Sequence, residues 1–512
     1  MMKERRSLLV TGAAGAACAP VFILTGLVFR LAFGIATLAE LFGDRVAPLL
    51  GIPLFFKMLS WFGGYSHLKQ IGYLGILFGE AVVIVIAAVL VARLSRRSLA
   101  RLRNLATAAA FAGCVVCVAF LWPNFGTNYR GLIPSQAVET NILALVIECA
   151  LAAWFLAWSL GTWAAQGEES GAEPSAIQGR RRLLVEAGSL LAGVTIVGTL
   201  VRFFKIAAYA YDGTENAGED LPPITPNDDF YSVTKNNVDP RPATSVWGMR
   251  VEGKVAQPKT LRLSEIVAMP SGLQEVTLQC ISNRVGGGLN SNAVWKGVRL
   301  KDVLAIVGTS PSATQVTFHG ADGFTDDVPF AKAMDPATLL VYEMNGVALP
   351  LHHGFPARLI VPGYVGEKSV KWVTKIEVLD HEEKGFYEQQ GWGPKFTINN
   401  TPRFDAPDFS KPIALGSIVR LKGTAFAGDR GVSRVQVSTD GEKTWKEAEI
   451  SYRTVDTAWV QWRLLWRADT PGDAMLAVRC FDGKGAAQSG QMKGPAPEPA
   501  TGYQRVKATV KA

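Results

Sequence analysis

Cys280 ends a strand-like run in the segment VTLQCISNRVGGG, residues 276–288. A cysteine that binds a metal must be deprotonated and held on a rigid element beside polar loops, and this position meets the geometric part of that requirement. The three glycines at 286–288 predict a backbone that can approach a large polar group closely. A buried cysteine beside an ordinary loop has the same local pattern, so the segment alone leaves both interpretations open.

A second group of chemically capable side chains lies in LPLHHGFPARLIVPGYVGEKSVKW, residues 349–372. His353, Arg358 and Lys371 combine a histidine donor, a guanidinium fork and an ammonium, which suit a phosphate or another anion. The alternative is a basic surface loop. Because GFPARLIVPG is apolar, these charges are expected to lie beside buried chain and to need partners.

Both groups fall in a region with mixed secondary-structure signals. The runs SVWGMRVEG, EVTLQC, TQVTFHG and ARLIVPG are typical of strands, and RLSEIVAM and RLKDVLAIVG have helical spacing. We therefore predict an α+β domain over residues 211–393. Residues 394–512 contain evenly spaced alternating strands with turns at Asp440–Gly441 and Asp482–Gly483, which predicts an immunoglobulin-like sandwich. Cys480 is expected in its core.

Residues 1–210 are predicted to form a transmembrane helix bundle. Five apolar stretches are long enough to cross a bilayer, at about 8–30, 71–92, 102–121, 140–164 and 183–204. Residues 34–60 are interrupted by charges and prolines and predict an interfacial or re-entrant segment, with a sixth span as the alternative. Basic runs at 3–6, 93–103 and 180–182 would face the cytoplasm, which places everything after about residue 205 on the opposite side.

The arginine run GRRRLLVEAGSLLAG, residues 179–193, is similar to a twin-arginine export signal inside the chain. That route carries folded domains, as a domain that acquires a cofactor in the cytoplasm would need. The alternative is a plain cluster of positive charges before a helix. The net charge of +8 is partly this topology signal, and no basic–aromatic pattern points to nucleic acid.

Haem is not expected in this chain. The sequence has five histidines, of which only His67 precedes residue 300, and it has no C-x-x-C-H motif. CVVC at 114–117 lies in an apolar stretch, where small packing residues are the expected interpretation. Cys280 and Cys480 are the two cysteines after residue 150, which is too few for a disulfide framework.

The longer pattern resembles the sulfite oxidase family of molybdopterin-dependent oxidoreductases, and in particular a membrane-anchored bacterial branch. The resemblance covers about residues 222–500. It is carried by VTLQC with SNR, by NSNAVWKGVRLKDVL, and by AKAMDPATLLVYEMNGVALPLHHGFPARLIVPGYVGEKSVKWVTKIEV, residues 331–378. It implies a molybdenum–molybdopterin cofactor and a β domain of the kind that often forms dimers.

The resemblance also implies roles for individual residues. Cys280 would be the metal ligand, while Lys235 and Glu383 stand where the family has a pocket arginine and a catalytic tyrosine. Val285 replaces a substrate-pocket arginine, which favours a substrate other than sulfite. The positions that correspond to cofactor contacts are Asp228, Tyr231, Ser232, Asn236, Asp322, His353, Arg358, Ser369, Val370 and Lys371.

The function hypothesis is a membrane-anchored oxidoreductase that transfers an oxygen atom in a two-electron reaction. Sulfite-like oxidation and reduction of an S- or N-oxide both stay open. Electrons would pass through a separate cytochrome or quinone-linked partner, and a homodimer is possible within this family. An immunoglobulin-like binding protein without redox activity is the alternative, and a transporter is a third hypothesis, because Glu80 and Glu148 lie within predicted spans.

Overall fold

The computed structural model describes residues 2–62, 65–95, 98–168, 198 and 221–512. The arginine run at 180–182 and, apart from residue 198, the stretch predicted as the fifth span lie outside the described residues. The described chain consists of N-terminal helices, a sheet-rich domain with short helices, and a β domain. This order confirms the coarse architecture predicted from the sequence.

The described residues up to 168 form six α-helices: α1 (Met2–Phe33), α2 (Leu38–Val46), α3 (Gly51–Phe62), α4 (Tyr65–Leu94), α5 (Leu99–Leu121) and α6 (Pro134–Glu168). Helices α4, α5 and α6 contain the segments His67–Leu94, Leu99–Leu121 and Pro134–Ser159, each long and apolar enough to cross a membrane. They match three of the five predicted spans. The apolar segment Cys18–Phe33 of α1 is shorter.

Helices α2 and α3 occupy the segment predicted as interfacial or re-entrant. Their axes meet at 119°, as in a broken span or a re-entrant loop. The first of them begins at a capping box, in which Thr37 accepts from the backbone of Glu40 and the Glu40 carboxylate accepts from the backbone of Thr37. Pro48 lies in the short 3₁₀ turn Ala47–Leu49 between them, where the chain changes direction.

The middle domain is built on two sheets. Its strands are β1 (Met249–Gly253), β2 (Lys259–Leu261), β3 (Gly272–Gln279), β4 (Asn290–Arg299), β5 (Gln315–Gly320), β6 (Thr325–Pro329), β7 (Leu339–Met344), β8 (Val347–Ala348), β9 (Arg358–Ile360) and β10 (Val373–Leu379), and its helices are α7 (Leu263–Val267), α8 (Leu300–Val307) and α9 (Phe330–Ala333). One sheet has the order β2-β1-β10-β5-β6; the other has β3-β4-β7-β8, with β9 also paired to β7. Strands and helices therefore mix as the sequence predicted.

The β3–β4 hairpin positions the cysteine of interest. The two strands pair antiparallel along their length, and Gln279 lies opposite Asn290 at the end of the ladder. Cys280 is thus the first residue of the ten-residue connection, and its backbone N–H donates to Leu289 across that connection at 3.0 Å. Trp295 anchors the hairpin because its buried indole N–H donates to the carbonyl of Val276 at 3.1 Å.

The C-terminal domain is all β. Its strands are β11 (Thr401–Ala406), β12 (Ile413–Ala414), β13 (Ile418–Phe426), β14 (Val432–Ser438), β15 (Lys446–Tyr452), β16 (Val460–Arg467), β17 (Gly472–Asp482) and β18 (Gln504–Lys511). They follow the order β11-β13-β16-β15-β14-β17-β18-β12. Phe404, Trp462 and Cys480 lie in one apolar core, which confirms the prediction that Cys480 is a core residue.

Polar contacts fix the N-terminal helices to the middle domain. The buried Arg30 guanidinium pairs with Glu40 at 3.0 Å and also donates to the carbonyl of Val238 at 3.0 Å. The Lys69 ammonium donates to the carbonyls of Thr234 and Asn236, at 3.1 and 2.7 Å. The loop after residue 230 is therefore held from two helices at once.

Replacing Gly297 by alanine is expected to destabilise the hairpin that carries Cys280. A Cβ at Gly297 would lie 2.2 Å from the carbonyl oxygen of Leu340, so β4 and β7 would have to separate. We expect a loss of about 1–3 kcal/mol in the free energy of unfolding. The melting temperature of the detergent-solubilised protein measures this effect.

Gly272 is the matched control, because it lies directly opposite Gly297 in the β3–β4 ladder and a Cβ there meets nothing within 4 Å. Gly272→Ala should change stability by no more than about 0.5 kcal/mol. Equal melting temperatures for the two variants would contradict the close contact between β4 and β7.

Candidate active site

Cys280 faces a cavity at the junction of the middle domain and the N-terminal helices. Its Sγ lies 3.1 Å from the Ser282 hydroxyl, and burial raises the pKa of the thiol to about 11. The free thiol is therefore protonated at neutral pH. Because a bound metal cation removes the proton from a coordinating thiol, this site would form a thiolate when a cation is present.

The glycine turn after Cys280 does not approach the cavity, contrary to the expectation from the sequence. A Cβ at Gly286 would lie 2.4 Å from the side-chain nitrogen of Gln504, and the carbonyl of Gly287 accepts a hydrogen bond from Arg403 at 2.9 Å. Both partners belong to the β domain. Gly286 thus permits close contact between the two domains and Gly287 accepts a hydrogen bond across it, and sequence spacing could not tell a protein partner from a ligand.

Arg358, the first residue of β9, lines the cavity as a buried cation. Its two terminal nitrogens donate to the carbonyls of His353 and Ser369, each at 3.0 Å, and its Nε has no partner. No carboxylate pairs with it among the described residues. Burial lowers the pKa of Arg358 to about 10, which leaves the group charged at neutral pH. An uncompensated buried guanidinium is a binding site for an anion.

Lys371 is a second buried cation in the same cavity. Its ammonium donates to the carbonyl of His352 at 3.0 Å and to that of Val233 at 3.4 Å, and within the described chain it forms no ion pair. Burial lowers its pKa to about 8. Lys371 and Arg358 together give the cavity two positive charges that are balanced only in part by more distant carboxylates.

His353 differs from the donor that the sequence suggested. Its Nε2 is 2.7 Å from the carbonyl oxygen of Asn227, so Nε2 carries the proton and donates it to the backbone. Burial lowers the pKa of the ring to about 2, which makes it a neutral imidazole. His353 is therefore a neutral side chain whose Nδ1 carries the lone pair, and it cannot be a cationic anion ligand.

The loop after residue 230 supplies another part of the lining. Tyr231 and Ser232 are buried against the cavity, and the Tyr231 ring stacks on Phe230 with centroids 5.5 Å apart. Asn236 lies behind this layer and donates to Asp322 at 2.8 Å. Asp322 lines the cavity and is held by a second hydrogen bond from the backbone of Phe324.

Most of the residues predicted from the sequence come together here. The cavity is lined by Tyr231, Ser232, Lys235, Cys280, Asp322, His353, Arg358, Ser369, Val370 and Lys371. Ser369 uses its hydroxyl oxygen to accept from the backbone of Val361 and supports Arg358 through its carbonyl, while its O–H proton is still available as a donor.

Three predicted positions lie elsewhere. Asp228 is exposed and does not line the cavity. Glu383, expected to be catalytic, has half of its side chain exposed and faces the exposed His381 at 3.6 Å. Val285 is also absent from the lining, so its substitution for an arginine does not shape this cavity directly. The motifs gave only the order of these residues along the chain, and the loop conformations place their side chains outside the cavity lining.

Two contributions to the lining had no signal in the sequence. Phe55, Phe56 and Leu59 of α3 form part of the cavity wall, although they lie more than 200 residues before Cys280 in the chain. Glu367 also lines it; its Oε1 has no partner, and burial raises its pKa well above the usual value. The apolar pattern of α3 signalled a membrane segment, and nothing in the pattern indicated a second role.

A cluster of acidic side chains beside the cavity is neutralised by a lysine of the protein itself. Asp326, Asp327 and Glu388 offer oxygens within 4.8 Å of one another, a spacing that could hold a metal ion. The Lys368 ammonium occupies that position, at 2.7 Å from Asp326 and 3.1 Å from Asp327. The cluster is therefore a buried charge network beside the cavity.

Comparison with known proteins agrees with this geometry. Residues 236–387 match the family described as "Oxidoreductase molybdopterin binding domain", and residues 406–492 match the "Mo-co oxidoreductase dimerisation domain". The two matched regions contain the cavity-lining residues from Leu278 to Tyr387 and most of the β domain. The N-terminal helices lie outside both.

Several curated relatives are sulfite oxidases. The chain is 33% identical to "Sulfite oxidase" of Arabidopsis thaliana over 276 residues, which is 44% of this chain and 70% of the relative. It is 37% identical to "Sulfite oxidase, mitochondrial" of Mus musculus over 275 residues, or 44% of this chain and 49% of the relative. The chain thus spans about half the length of the mouse protein.

Among solved structures, the sulfane dehydrogenase SoxCD from Paracoccus pantotrophus matches with a TM-score of 0.51 and 21% identity, covering 57% of this chain and 84% of that one. At this identity the match supports the fold alone. The cofactor-domain match and the level of identity to the Arabidopsis protein carry the assignment further. The chain belongs to the sulfite oxidase family, and it is a molybdopterin-dependent oxidoreductase whose cofactor is molybdenum–molybdopterin.

Proposed function

We propose that this chain is a membrane-anchored enzyme that transfers an oxygen atom in a two-electron reaction at a molybdenum ion bound by Cys280. The observation that carries the proposal is the cavity itself, in which one thiol faces a space lined by two buried cations without carboxylate partners. A thiol, an orphaned guanidinium nitrogen and a buried ammonium suit a cofactor with a soft metal and an anionic tail. The site residues therefore fit the cofactor of the family.

When bound, molybdenum–molybdopterin supplies the redox change and the oxygen-atom transfer. The protein's residues bind and orient it. Cys280 would hold the metal as a thiolate, and Arg358 and Lys371 would neutralise the phosphate. The Nδ1 lone pair of His353 would accept a hydrogen bond from the pterin ring.

The residues around these contacts would hold the cofactor in one position and orientation. The layer of Tyr231, Ser232 and Asp322 packs along the cavity, with Asn236 fixing Asp322 from behind. Ser369 holds Arg358 through its carbonyl. Asp228 and Glu383 have no place in this arrangement because neither reaches the cavity. Lys235 lines the cavity, where its ammonium is paired with Asp44.

The apolar helices α4, α5 and α6 are compatible with membrane anchoring. We propose a bacterial inner-membrane location with the cofactor domain on the outer side, reached by the twin-arginine route. The β domain would be an immunoglobulin-like sandwich that joins two copies, as the dimerisation-domain match supports. A separate cytochrome or quinone-linked protein would exchange electrons. A cofactor-free binding module would not explain the buried thiol and cations.

Replacing Cys280 tests the metal assignment. Cys280→Ala is expected to lose oxygen-transfer activity, because the remaining described lining residues offer no second thiolate to complete the ligands of the molybdenum. Activity and molybdenum content are measured on full-length protein from a molybdopterin-producing host, the metal by mass spectrometry. Cys480→Ala is the matched control, since Cys480 lies in the β-domain core. Wild-type protein without molybdenum would contradict the proposal.

Replacing Arg358 tests the anion-binding role. Arg358→Met is expected to reduce the pterin content, measured by fluorescence after oxidation, because the phosphate loses a bidentate partner. Arg358→Lys should retain an intermediate amount, since it keeps the charge but not the fork. Arg467→Met, on the exposed side of β16, is the control for losing a positive charge elsewhere. Full pterin content in Arg358→Met would remove the role.

Lys371 predicts a pH dependence in cofactor-free protein. Its pKa of about 8 means that the ammonium is charged below pH 8 and loses its charge above it. Affinity for sulfate, which keeps its charge in this range, should fall above pH 8 by up to about tenfold per pH unit. Calorimetric titrations between pH 7 and 10 measure this. Lys371→Arg should remove the decrease; a flat wild-type profile would contradict the prediction.

A further inference from the structure

Helix α3 completes the cavity that contains Cys280. Phe55, Phe56 and Leu59 line it, and the Phe56 ring lies 6.0 Å from the ring of Trp392. This helix precedes both regions that match known families, which begin at residue 236. The N-terminal helices are therefore more than an anchor, because the cavity has an open side without them.

The apolar wall lies beside the thiol. Ile281 and Trp392 belong to one buried apolar cluster, and Ile52, Cys280 and Tyr387 pack against it. The cluster thus joins the first turn of α3 to the residue that follows Cys280. A group that reached the metal position would contact aromatic rings and alkyl side chains on this side.

Each positive charge of the cavity already has an anionic partner, either assigned or observed. Lys235, Arg358 and Lys371 are the cationic side chains among the described lining residues. The last two are assigned above to the cofactor phosphate. The Lys235 ammonium is 2.6 Å from the Asp44 carboxylate, and only 6% of the lysine side chain is exposed. A buried lysine neutralised in this way has little attraction left for an anionic substrate.

The acidic lining residues make the cavity less suitable for an anionic substrate. Asp322 faces the cavity as a carboxyl group that accepts from Asn236 and Phe324. Glu367 also faces it, and burial raises the pKa of that carboxyl well above its usual value, which favours the neutral form. Apart from the two cofactor cations, the lining is neutral or negative. A small dianion such as sulfite is poorly matched to it.

The outer side of α3 is apolar and exposed. Leu54 is 42% exposed and Trp61 is 63% exposed, and the Lys57 ammonium lies 4.9 Å above the Trp61 ring. Tryptophan and lysine side chains of this kind concentrate at membrane–water interfaces. The helix therefore places the cavity next to the interface, where apolar solutes accumulate.

Resting on the proposed function, we propose that α3 and Asp44 make this enzyme selective for an uncharged organic sulfoxide with an apolar substituent. The substituent packs against Phe56 and Trp392, and the Asp44–Lys235 ion pair disfavours small dianions. The reduction balances as R₂S=O + 2 e⁻ + 2 H⁺ → R₂S + H₂O. The S=O bond breaks, the electrons come from the separate electron-transfer protein, and the protons come from water.

The test uses full-length holoenzyme in detergent, with molybdenum and pterin contents measured for every sample. Methyl phenyl sulfoxide and dimethyl sulfoxide are assayed with reduced methyl viologen, and sulfite is assayed with ferricyanide. We expect kcat/KM for methyl phenyl sulfoxide to exceed that for dimethyl sulfoxide by about tenfold or more, because the phenyl group fills the apolar wall. Sulfite should be the poorest of the three substrates.

Two variants and one control distinguish the effect of the apolar wall from that of the Asp44–Lys235 ion pair. Phe56→Ala should raise KM for methyl phenyl sulfoxide about tenfold. Leu54→Ala, on the exposed face of the same helix, should leave it unchanged. Asp44→Asn should raise kcat/KM for sulfite by about tenfold, because Lys235 regains an unbalanced charge. If Asp44→Asn fails to fold, the Phe56 and Leu54 pair still decides the proposal.

The outcomes distinguish the selectivity from the activity. A wild-type enzyme with full molybdenum that prefers sulfite would overturn the selectivity and leave the proposed function standing. An unchanged KM for methyl phenyl sulfoxide in Phe56→Ala would likewise overturn it. A wild-type protein without molybdenum contradicts the proposed function instead.

Discussion

Arg358 and Lys371 are positive charges inside the protein, and neither forms an ion pair within the described chain. Burial of such groups is costly unless something compensates for the charge. Backbone carbonyls from residues 233, 352, 353 and 369 accept their hydrogen bonds, so the turns on both sides of β9 are arranged around them. An anion that enters the cavity completes this arrangement and stabilises the folded state by binding.

The same constraint explains why the site needs several elements at once. The β3–β4 hairpin brings Cys280 to the cavity, β9 brings Arg358, and the turn before β10 brings Lys371. The loop after residue 230 covers them and is held by Arg30 and Lys69 of the N-terminal helices. The helical part thus fixes a cofactor-lining loop as well as a wall of the cavity.

Much of the site was accessible from the sequence because the residues lie in long segments with specific spacing. Cys280, Arg358 and Lys371 were singled out, and the structure brings them together. Other predicted residues lie away from the cavity for physical reasons. The glycines after Cys280 contact Arg403 and Gln504. A glycine in a sequence indicates that another group comes close, but it does not indicate whether that group is a ligand or another part of the protein. Glu383 is exposed because its loop leaves the cavity after β10.

By itself, the sequence determined the apolar helices, the mixed and all-β regions, and the family motifs, since each depends on local periodicity or on contiguous residues. The tertiary structure decided the charge and shape of the cavity. Asp44 meets Lys235 across 191 positions in the chain, and α3 meets Trp392 across more than 300. Contacts at such separations leave no local signature, because they arise only when independently formed elements pack against each other.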